Sequence, residues 1–174
     1  MPGATPHQTI GPYWHLLEVP EWADLTRFGA AGERVTLIGT VTDGDGGPVA
    51  DGCVELWQPS PPQDDLFPGW GRCATDAEGN YRFTTLRPGA LPPAGGNARQ
   101  APHVAIMLHA RGLLKPLATR AYFEGEPLND EDPVLALLDD PRRRATLVAR
   151  AVGAATWRFD VNLGGDDETV FVEL

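Results

Sequence analysis

The fold of this chain is decided by one stretch, Val35-Thr36-Leu37-Ile38-Gly39-Thr40-Val41-Thr42, and by the turn sequence after it, Asp43-Gly44-Asp45-Gly46-Gly47-Pro48. Most residues of the first stretch are β-branched, and its side chains alternate between two faces, with Val35, Leu37 and Val41 on one of them. Such alternation is typical of a strand with one buried face, and clustered Gly, Asp and Pro mark a turn. The stretch therefore predicts a β-strand that ends in a tight turn.

Similar strand and turn signals recur along the rest of the chain. Further strands are predicted at residues 53–58, 80–85, 102–111, 119–123, 157–163 and 168–173, with a Pro-rich loop between the first two of these. Only the segment 140–152 is predicted as a helix, beginning at Asp140 with Pro141 in its first turn. About seven or eight short strands separated by turns indicate an all-β fold, a β-sandwich, with one short helix.

Residues 1–34 are predicted to form an irregular N-terminal arm, and residues 35–174 the sandwich. The arm carries Tyr13, Trp14 and other aromatic residues, but its apolar positions follow no sustained period. Aromatic side chains in a segment that cannot fold by itself need another surface to pack against. We therefore expect the arm to bind a partner.

Composition restricts the class of protein. Of the 174 residues, 42% are hydrophobic and 22% charged, as in an ordinary globular domain, and the two cysteines have no metal-ligand spacing. The formal net charge of −10 disfavours binding to nucleic acid or to anionic membrane surfaces. No apolar run approaches the roughly 20 residues of a membrane span, and the first residues lack the basic and apolar segments of a signal peptide. A cytoplasmic protein is expected.

Several short motifs appear in a fixed order: Glu55-Leu56-Trp57-Gln58, then Gly71-Arg72, then Arg87-Pro88-Gly89, then Pro102-His103. In these motifs the sequence resembles the core of the intradiol aromatic-ring dioxygenases, and the resemblance covers nearly the whole chain. It implies the β-sandwich of that family. It also implies an oxidoreductase reaction in which both atoms of O₂ enter a dihydroxylated aromatic ring.

A second set of motifs narrows the resemblance to members that cleave protocatechuate (3,4-dihydroxybenzoate) with two kinds of subunit. These motifs are Thr5-Pro6-His7-Gln8-Thr9-Ile10-Gly11-Pro12-Tyr13, Ala101-Pro102-His103, Thr119-Arg120-Ala121-Tyr122-Phe123 and Trp157-Arg158-Phe159-Asp160. In them the chain is similar to the alpha-type subunit, which implies a homologous iron-bearing beta subunit as partner in a larger hetero-oligomer. The implied product is 3-carboxy-cis,cis-muconate, in aromatic catabolism by the β-ketoadipate pathway.

Members of this family hold Fe(III) with two tyrosinates and two histidines, donors that suit the ferric state. The resemblance places the first tyrosine within residues 59–70, where this chain has none, and the second at Leu91. Of the two histidines, His103 remains and Ala105 replaces the other. A lone imidazole cannot hold iron. His103, Ala105 and Leu91 are therefore predicted to mark a vestigial site, with no catalytic residue and no metal in this chain and Fe(III) in the beta subunit.

Two parts of the chain are nevertheless predicted to contribute to the partner's substrate pocket. The resemblance places the arm residues Thr9, Gly11, Pro12 and Tyr13 at the entrance of that pocket, and the alternative is that they only pack at the interface. It also places Arg120 nearby, where a positive charge would hold the carboxylate of the substrate. A structural salt bridge is the alternative role for Arg120.

Two other functions fit parts of the sequence. One is a self-sufficient intradiol dioxygenase with unrecognised iron ligands, which would be coloured because tyrosinate bound to Fe(III) absorbs visible light. The other is a non-enzymatic β-sandwich binding module, which would not co-purify with a beta-type chain. On its own, an alpha-type subunit is expected to be inactive.

Overall fold

The computed structural model describes residues 9–11, 13–92 and 99–172. These residues form nine strands, one short α-helix and four 3-10 helices. The strands and the α-helix are β1 (Arg34–Thr42), β2 (Cys53–Trp57), β3 (Trp70–Ala74), β4 (Asn80–Leu86), β5 (His103–His109), β6 (Leu117–Phe123), α1 (Pro141–Ala145), β7 (Val148–Gly153), β8 (Thr156–Arg158) and β9 (Val161–Asn162). The 3-10 helices are Trp14–Leu17, Pro20–Ala23, Pro127–Asp130 and Leu135–Leu137.

The strands form two layers joined by β7. One layer has the order β3-β2-β5-β6, and the other has the order β8-β1-β4, with β9 also pairing with β1. Val148 and Ala149 of β7 pair with β6 in the first layer, while Arg150 and Ala151 pair with β8 in the second. A bulge follows Ala151. A strand that bends and changes sheets in this way closes one edge of a sandwich.

The core lies between the two layers. Strand β1 alternates as its sequence predicts, so Leu37 and Val41 are almost fully buried. They belong to the same cluster as Leu56 of β2 and Ile106 of β5, which come from the opposite layer. Burial of one face from each layer removes apolar surface from water, which is the main term that stabilises a sandwich. The predicted all-β sandwich is confirmed.

Residues 14–34 pack partly against the chain's own sandwich. Leu25 is completely buried in the main core, and its amide donates to the carbonyl of Thr84 in β4. The backbone of Trp22 and the side chain of Leu25 lie so close to Gly71 of β3 that a Cβ there would be 2.5 Å from each. Because only glycine permits this approach, Gly71 fixes the path of the chain across β3.

The predicted helix at 140–152 is correct only in its first turn. The helix is α1, with Asp140 as the N-cap residue that accepts the amide of Arg142, and with Pro141 in its first turn. Residues 148–153 instead form β7, because the backbone of Leu147 and Ala149 pairs with the free edge of β6. Tertiary pairing thus overrides the local helical pattern. In the described segments, no helix has the length and apolarity needed to cross a bilayer.

The two predicted C-terminal strands are shorter than expected. The predicted strand at 157–163 is divided into β8 and β9, because the side chain of Asp160 replaces a backbone acceptor for the amide of Thr40 in β1. The predicted strand at 168–173 is reduced to an isolated bridge between Val172 and Ala118, and residue 173 lies outside the described residues.

Besides β7, one more strand was not predicted. Strand β3 lies inside the segment that was assigned to the Pro-rich loop, and it pairs along its whole length with β2. Its sequence, Trp-Gly-Arg-Cys-Ala, has no β-branched residue and includes a glycine, so local propensity does not indicate a strand. It forms because the neighbouring edge of β2 supplies a complete set of backbone partners.

Candidate functional site

Several of the predicted site residues lie on the outer face of the β3-β2-β5-β6 layer. In β5, Val104 and Ile106 point into the core, so His103 and Ala105 point to the other face. Strand register places Ala105 beside Arg120 of β6 and His103 beside Tyr122 of the same strand. The vestigial pair and Arg120 therefore occupy neighbouring positions on one surface, as a period of two requires.

His103 is engaged by the protein itself. Its Nδ1 donates to the carbonyl of Ala101 at 2.7 Å, and its ring packs on the ring of Tyr122 with centroids 5.1 Å apart. Burial lowers the pKa of His103, and the nearby positive charge of Arg120 acts in the same direction. The ring is thus a neutral imidazole held in a buried position.

The other positions of the vestigial site supply no metal donor. Ala105 has only a methyl group, and the half-buried Leu91 forms an isolated bridge with Gln100. Residues 93–98, which follow Leu91, lie outside the described residues.

Tyr81 and Tyr122 are engaged within the fold and do not serve as metal donors. The hydroxyl of Tyr81 is buried and donates to the carbonyl of Phe159 at 2.5 Å, and the hydroxyl of Tyr122 donates to Asp132 at 3.0 Å. Burial raises the pKa of both phenols, so neither is available as a tyrosinate. The residues of this face do not fit ferric iron, which needs anionic oxygen donors arranged around it.

Arg120 lies half-buried beside these residues. Its Nη1 donates to Oε1 of Gln100 at 2.9 Å and lies 3.3 Å from the hydroxyl oxygen of Tyr122. No carboxylate of the described residues lies within ion-pair distance of its guanidinium, and the nearest acid in the network, Asp132, is separated from it by Tyr122. The salt bridge considered as an alternative for Arg120 is therefore not formed within the described part of the chain.

The arm lies over the other end of the same face. Together with Cys53, Glu55, Arg72 and His109, it encloses an open cavity of about 430 Å³. The arm residues that line the cavity include Ile10, Gly11, Tyr13 and Trp14. Gly11 and Tyr13 therefore share the outer face with Arg120 but lie around Glu55 and His109 rather than beside it. Thr9 is exposed, and Pro12 lies outside the described residues.

A partly buried ion pair forms the floor of this cavity. Oε1 of Glu55 accepts from both Nε and Nη2 of Arg72, at 3.1 and 2.7 Å, while Nε2 of His109 lies 3.9 Å from Oε2. Burial alone would raise the pKa of Glu55, but the proximity of His109 and the Arg72 guanidinium outweighs it and lowers this pKa to about 2. Glu55 is therefore charged at every pH at which the protein would work.

This lowered pKa predicts a specific acid sensitivity. A carboxylate with a lower pKa in the folded state stabilises the fold above its unfolded pKa, and this contribution is lost as pH falls towards the folded pKa. For a folded pKa of about 2 against an ordinary value of 4.5, the contribution should fall by about 2 kcal/mol between pH 7 and pH 3. Urea unfolding at both pH values, followed by tryptophan fluorescence, measures it.

Glu55→Gln is the variant for this test, because it keeps the size of the side chain and removes the titration. The difference in free energy of unfolding between wild type and E55Q should shrink by about 2 kcal/mol from pH 7 to pH 3. Asp65→Asn serves as the control, since this exposed carboxylate lies in the surface loop between β2 and β3. A difference for E55Q that does not change with pH would contradict the assignment.

Sequence reasoning missed three residues of the Arg120 network, Gln100, Tyr122 and Asp132. Tyr122 could have been found, because it is two residues after Arg120 on the same strand and so shares its face. Asp132 gave no such signal, since it lies in the segment 126–140 where the motifs are weakest, and only the fold brings it to Tyr122.

Comparisons with known proteins agree with this geometry. Residues 23–165 match the model of a family described as Dioxygenase. The chain is 38% identical to the protocatechuate 3,4-dioxygenase alpha chain of Pseudomonas putida, over 98% of this chain and 96% of that one. It is 36% identical to the beta chain of the corresponding Burkholderia cepacia enzyme, over 79% of this chain and 67% of that one.

Solved structures show the same fold. The dioxygenase domain of a dioxygenase carbohydrate-binding protein fusion from Streptomyces sp. SirexAA-E superimposes with a TM-score of 0.64 at 27% identity, covering 94% of this chain and 99% of that domain. Catechol 1,2-dioxygenase from Pseudomonas arvilla C-1 superimposes with a TM-score of 0.63 at 23% identity, covering 82% of this chain and 55% of that one.

Proposed function

Because the chain belongs to the dioxygenase family, we propose that it is the alpha-type subunit of a protocatechuate 3,4-dioxygenase. The observation that carries the proposal is the similarity to an alpha chain along nearly the full length of both proteins. The similarity to a beta chain covers less of either protein. The described residues around His103 offer no set of iron donors, which fits an alpha role, since such a subunit need not hold the metal.

The proposed reaction converts 3,4-dihydroxybenzoate and O₂ into 3-carboxy-cis,cis-muconate, with both oxygen atoms retained in the product. Fe(III) and the ring cleavage belong to a homologous beta subunit, and the present chain supports that site from across the interface. We place the hetero-oligomer in the cytoplasm, in the β-ketoadipate pathway of aromatic catabolism.

Arg120 is the residue of this chain proposed to bind the substrate. Its Nη1 is already bonded, but its Nε and Nη2 have no partner among the described residues. These two groups form the edge of a guanidinium that binds a carboxylate with two parallel hydrogen bonds. In a chain with a net charge of −10, such a local positive group is needed to attract an anionic substrate.

The arm is proposed to bind the beta subunit, with Thr9, Gly11, Pro12 and Tyr13 at the entrance of its pocket. Tyr13, Leu16 and Leu17 are each more than 70% exposed in the isolated chain, at 72%, 72% and 74%. Three large apolar side chains exposed together are typical of a surface that a partner covers.

Co-expression with the beta-type chain tests the proposal. The two chains are expected to co-purify as a coloured complex that contains one iron per alpha–beta pair and consumes O₂ with protocatechuate. The present chain purified alone should be colourless, free of stoichiometric iron and inactive. A coloured, active single chain would favour a self-sufficient dioxygenase, and a chain that never binds the beta subunit would favour a binding module.

A further inference from the structure

Asp132 is a buried carboxylate whose hydrogen bonds come mainly from the backbone. It is completely inaccessible to solvent, and it accepts from the amides of Ala101, Val134 and Leu135 at 2.8 to 3.1 Å. These amides belong to two segments that are distant in sequence, so the carboxylate is held from two sides. Backbone amides cannot change rotamer, and Asp132 is therefore a fixed acceptor.

The hydroxyl of Tyr122 uses this fixed acceptor. A phenol has one proton, and that of Tyr122 goes to Oδ1 of Asp132 at 3.0 Å. Its lone pairs then point away from Asp132, and one of them meets Nη1 of Arg120 at 3.3 Å. The ring itself is fully buried and packed on His103, so the hydroxyl oxygen cannot move.

Nη1 of Arg120 has a second acceptor in Oε1 of Gln100, at 2.9 Å. The two acceptors together restrict the orientation of the guanidinium plane. With Nη1 occupied, the edge formed by Nε and Nη2 is left for a partner outside the described residues. We infer that Tyr122 and Gln100 are positioning residues, which hold Arg120 by Nη1 so that its opposite edge faces the substrate carboxylate.

This inference rests on the proposed function, because it assigns a cause to the orientation of Arg120 in substrate binding. An unanchored arginine side chain has several rotatable bonds, and the side-chain entropy lost in ordering it weakens binding about 10- to 30-fold. Because Nη1 is anchored, the side chain is already ordered in the folded protein, and substrate binding does not have to order it. Tyr122 and Gln100 touch Arg120, not the ring that is cleaved, so they act through Arg120 alone.

Tyr122→Phe in the alpha–beta complex is the direct test. The variant keeps the ring packed on His103 and removes only the hydroxyl. We expect KM for protocatechuate to rise about tenfold, the order set by side-chain ordering, with kcat changed less than twofold. The affinity for catechol, which lacks the carboxylate and is measured as its Ki against protocatechuate, should not change.

A general structural defect would weaken the binding of both protocatechuate and catechol. A loss of affinity for protocatechuate alone therefore indicates a positioning role. Gln100→Leu removes the other acceptor of Nη1 and leaves the buried Asp132 unchanged. It should weaken protocatechuate binding but not catechol binding, and it gives this result even if the Y122F complex does not assemble. Tyr81→Phe is the matched control, since its buried hydroxyl bonds to Phe159 in another part of the fold. It should leave the discrimination between the two ligands unchanged.

Arg120→Ala separates failure of this inference from failure of the proposed function. If R120A selectively weakens protocatechuate and neither Y122F nor Q100L does, the positioning role is wrong and the role of Arg120 stands. If R120A leaves the discrimination between the two ligands unchanged, both are wrong. Positioning is supported if Y122F added to R120A has no further effect, because a residue that acts only through Arg120 has nothing left to orient.

Discussion

Replacing Gly39 with alanine is expected to destabilise the fold by about 4 kcal/mol. Gly39 lies in the middle of β1 and pairs with Tyr81 of β4. A Cβ at this position would be 1.8 Å from the carbonyl oxygen of Phe159 and 2.7 Å from the hydroxyl of Tyr81. The first contact is with backbone, which cannot rotate away, so β1 would have to separate from the segment that follows β8.

The separation would also break the hydrogen bond between Tyr81 and Phe159. Overpacking costs about 1–3 kcal/mol, and leaving a buried hydrogen-bonding group without a partner costs a similar amount. The sum, on the order of 4 kcal/mol, is a large part of the 5–15 kcal/mol by which a domain is stable. The measurement is the yield of folded alpha–beta complex and its midpoint of thermal unfolding.

Gly153→Ala is the control for this prediction. Gly153 also lies in a strand, but an added Cβ there would meet only the side chain of Thr156, at an ordinary contact distance of 3.5 Å. Because alanine restricts the unfolded chain more than glycine does, G153A should change the free energy of unfolding by less than about 1 kcal/mol. A G39A protein as stable as G153A would show that the β1 contact with Phe159 is not as tight as described.

Gly39 also shows what the sequence alone can reveal about the fold. The alternation along residues 35–42 predicted β1 and its buried face, because period and turn chemistry are local properties. The glycine within that pattern was a visible irregularity, but its partner Phe159 is distant in sequence. Strand β3 and the change from α1 to β7 were missed for the same reason, since pairing with β2 and β6 determines them.

The candidate site also has one part that could be predicted from the sequence and one part that could not. The motifs predicted a vestigial site at Ala105 and Leu91, and the structure adds that His103 is bonded to Ala101. Tyr122 shares a strand face with Arg120, but the rest of the hydrogen-bond network could not be predicted, because Gln100 and Asp132 join it only in the folded chain. Among the described residues, this face thus offers no cluster of metal donors but holds an ordered cation.

Removal of that cation should have the largest effect of any substitution on activity. In the alpha–beta complex, Arg120→Ala is expected to lower kcat/KM for protocatechuate on the order of 100- to 1000-fold. The estimate follows from the cost of removing one partner of a desolvated charge pair, about 2–5 kcal/mol. Oxygen uptake at several concentrations of protocatechuate measures the change, and catechol should lose far less, because it offers no carboxylate to Arg120.

Two further variants decide whether the guanidinium or its charge alone is responsible. Arg120→Lys keeps the charge but cannot form two parallel hydrogen bonds, so its kcat/KM should lie between those of wild type and R120A. Arg150→Ala removes an arginine whose side chain is 71% exposed on β7, and should leave activity unchanged. If R120A and R150A have the same activity, Arg120 does not bind the substrate, and this face of the chain only packs against its partner.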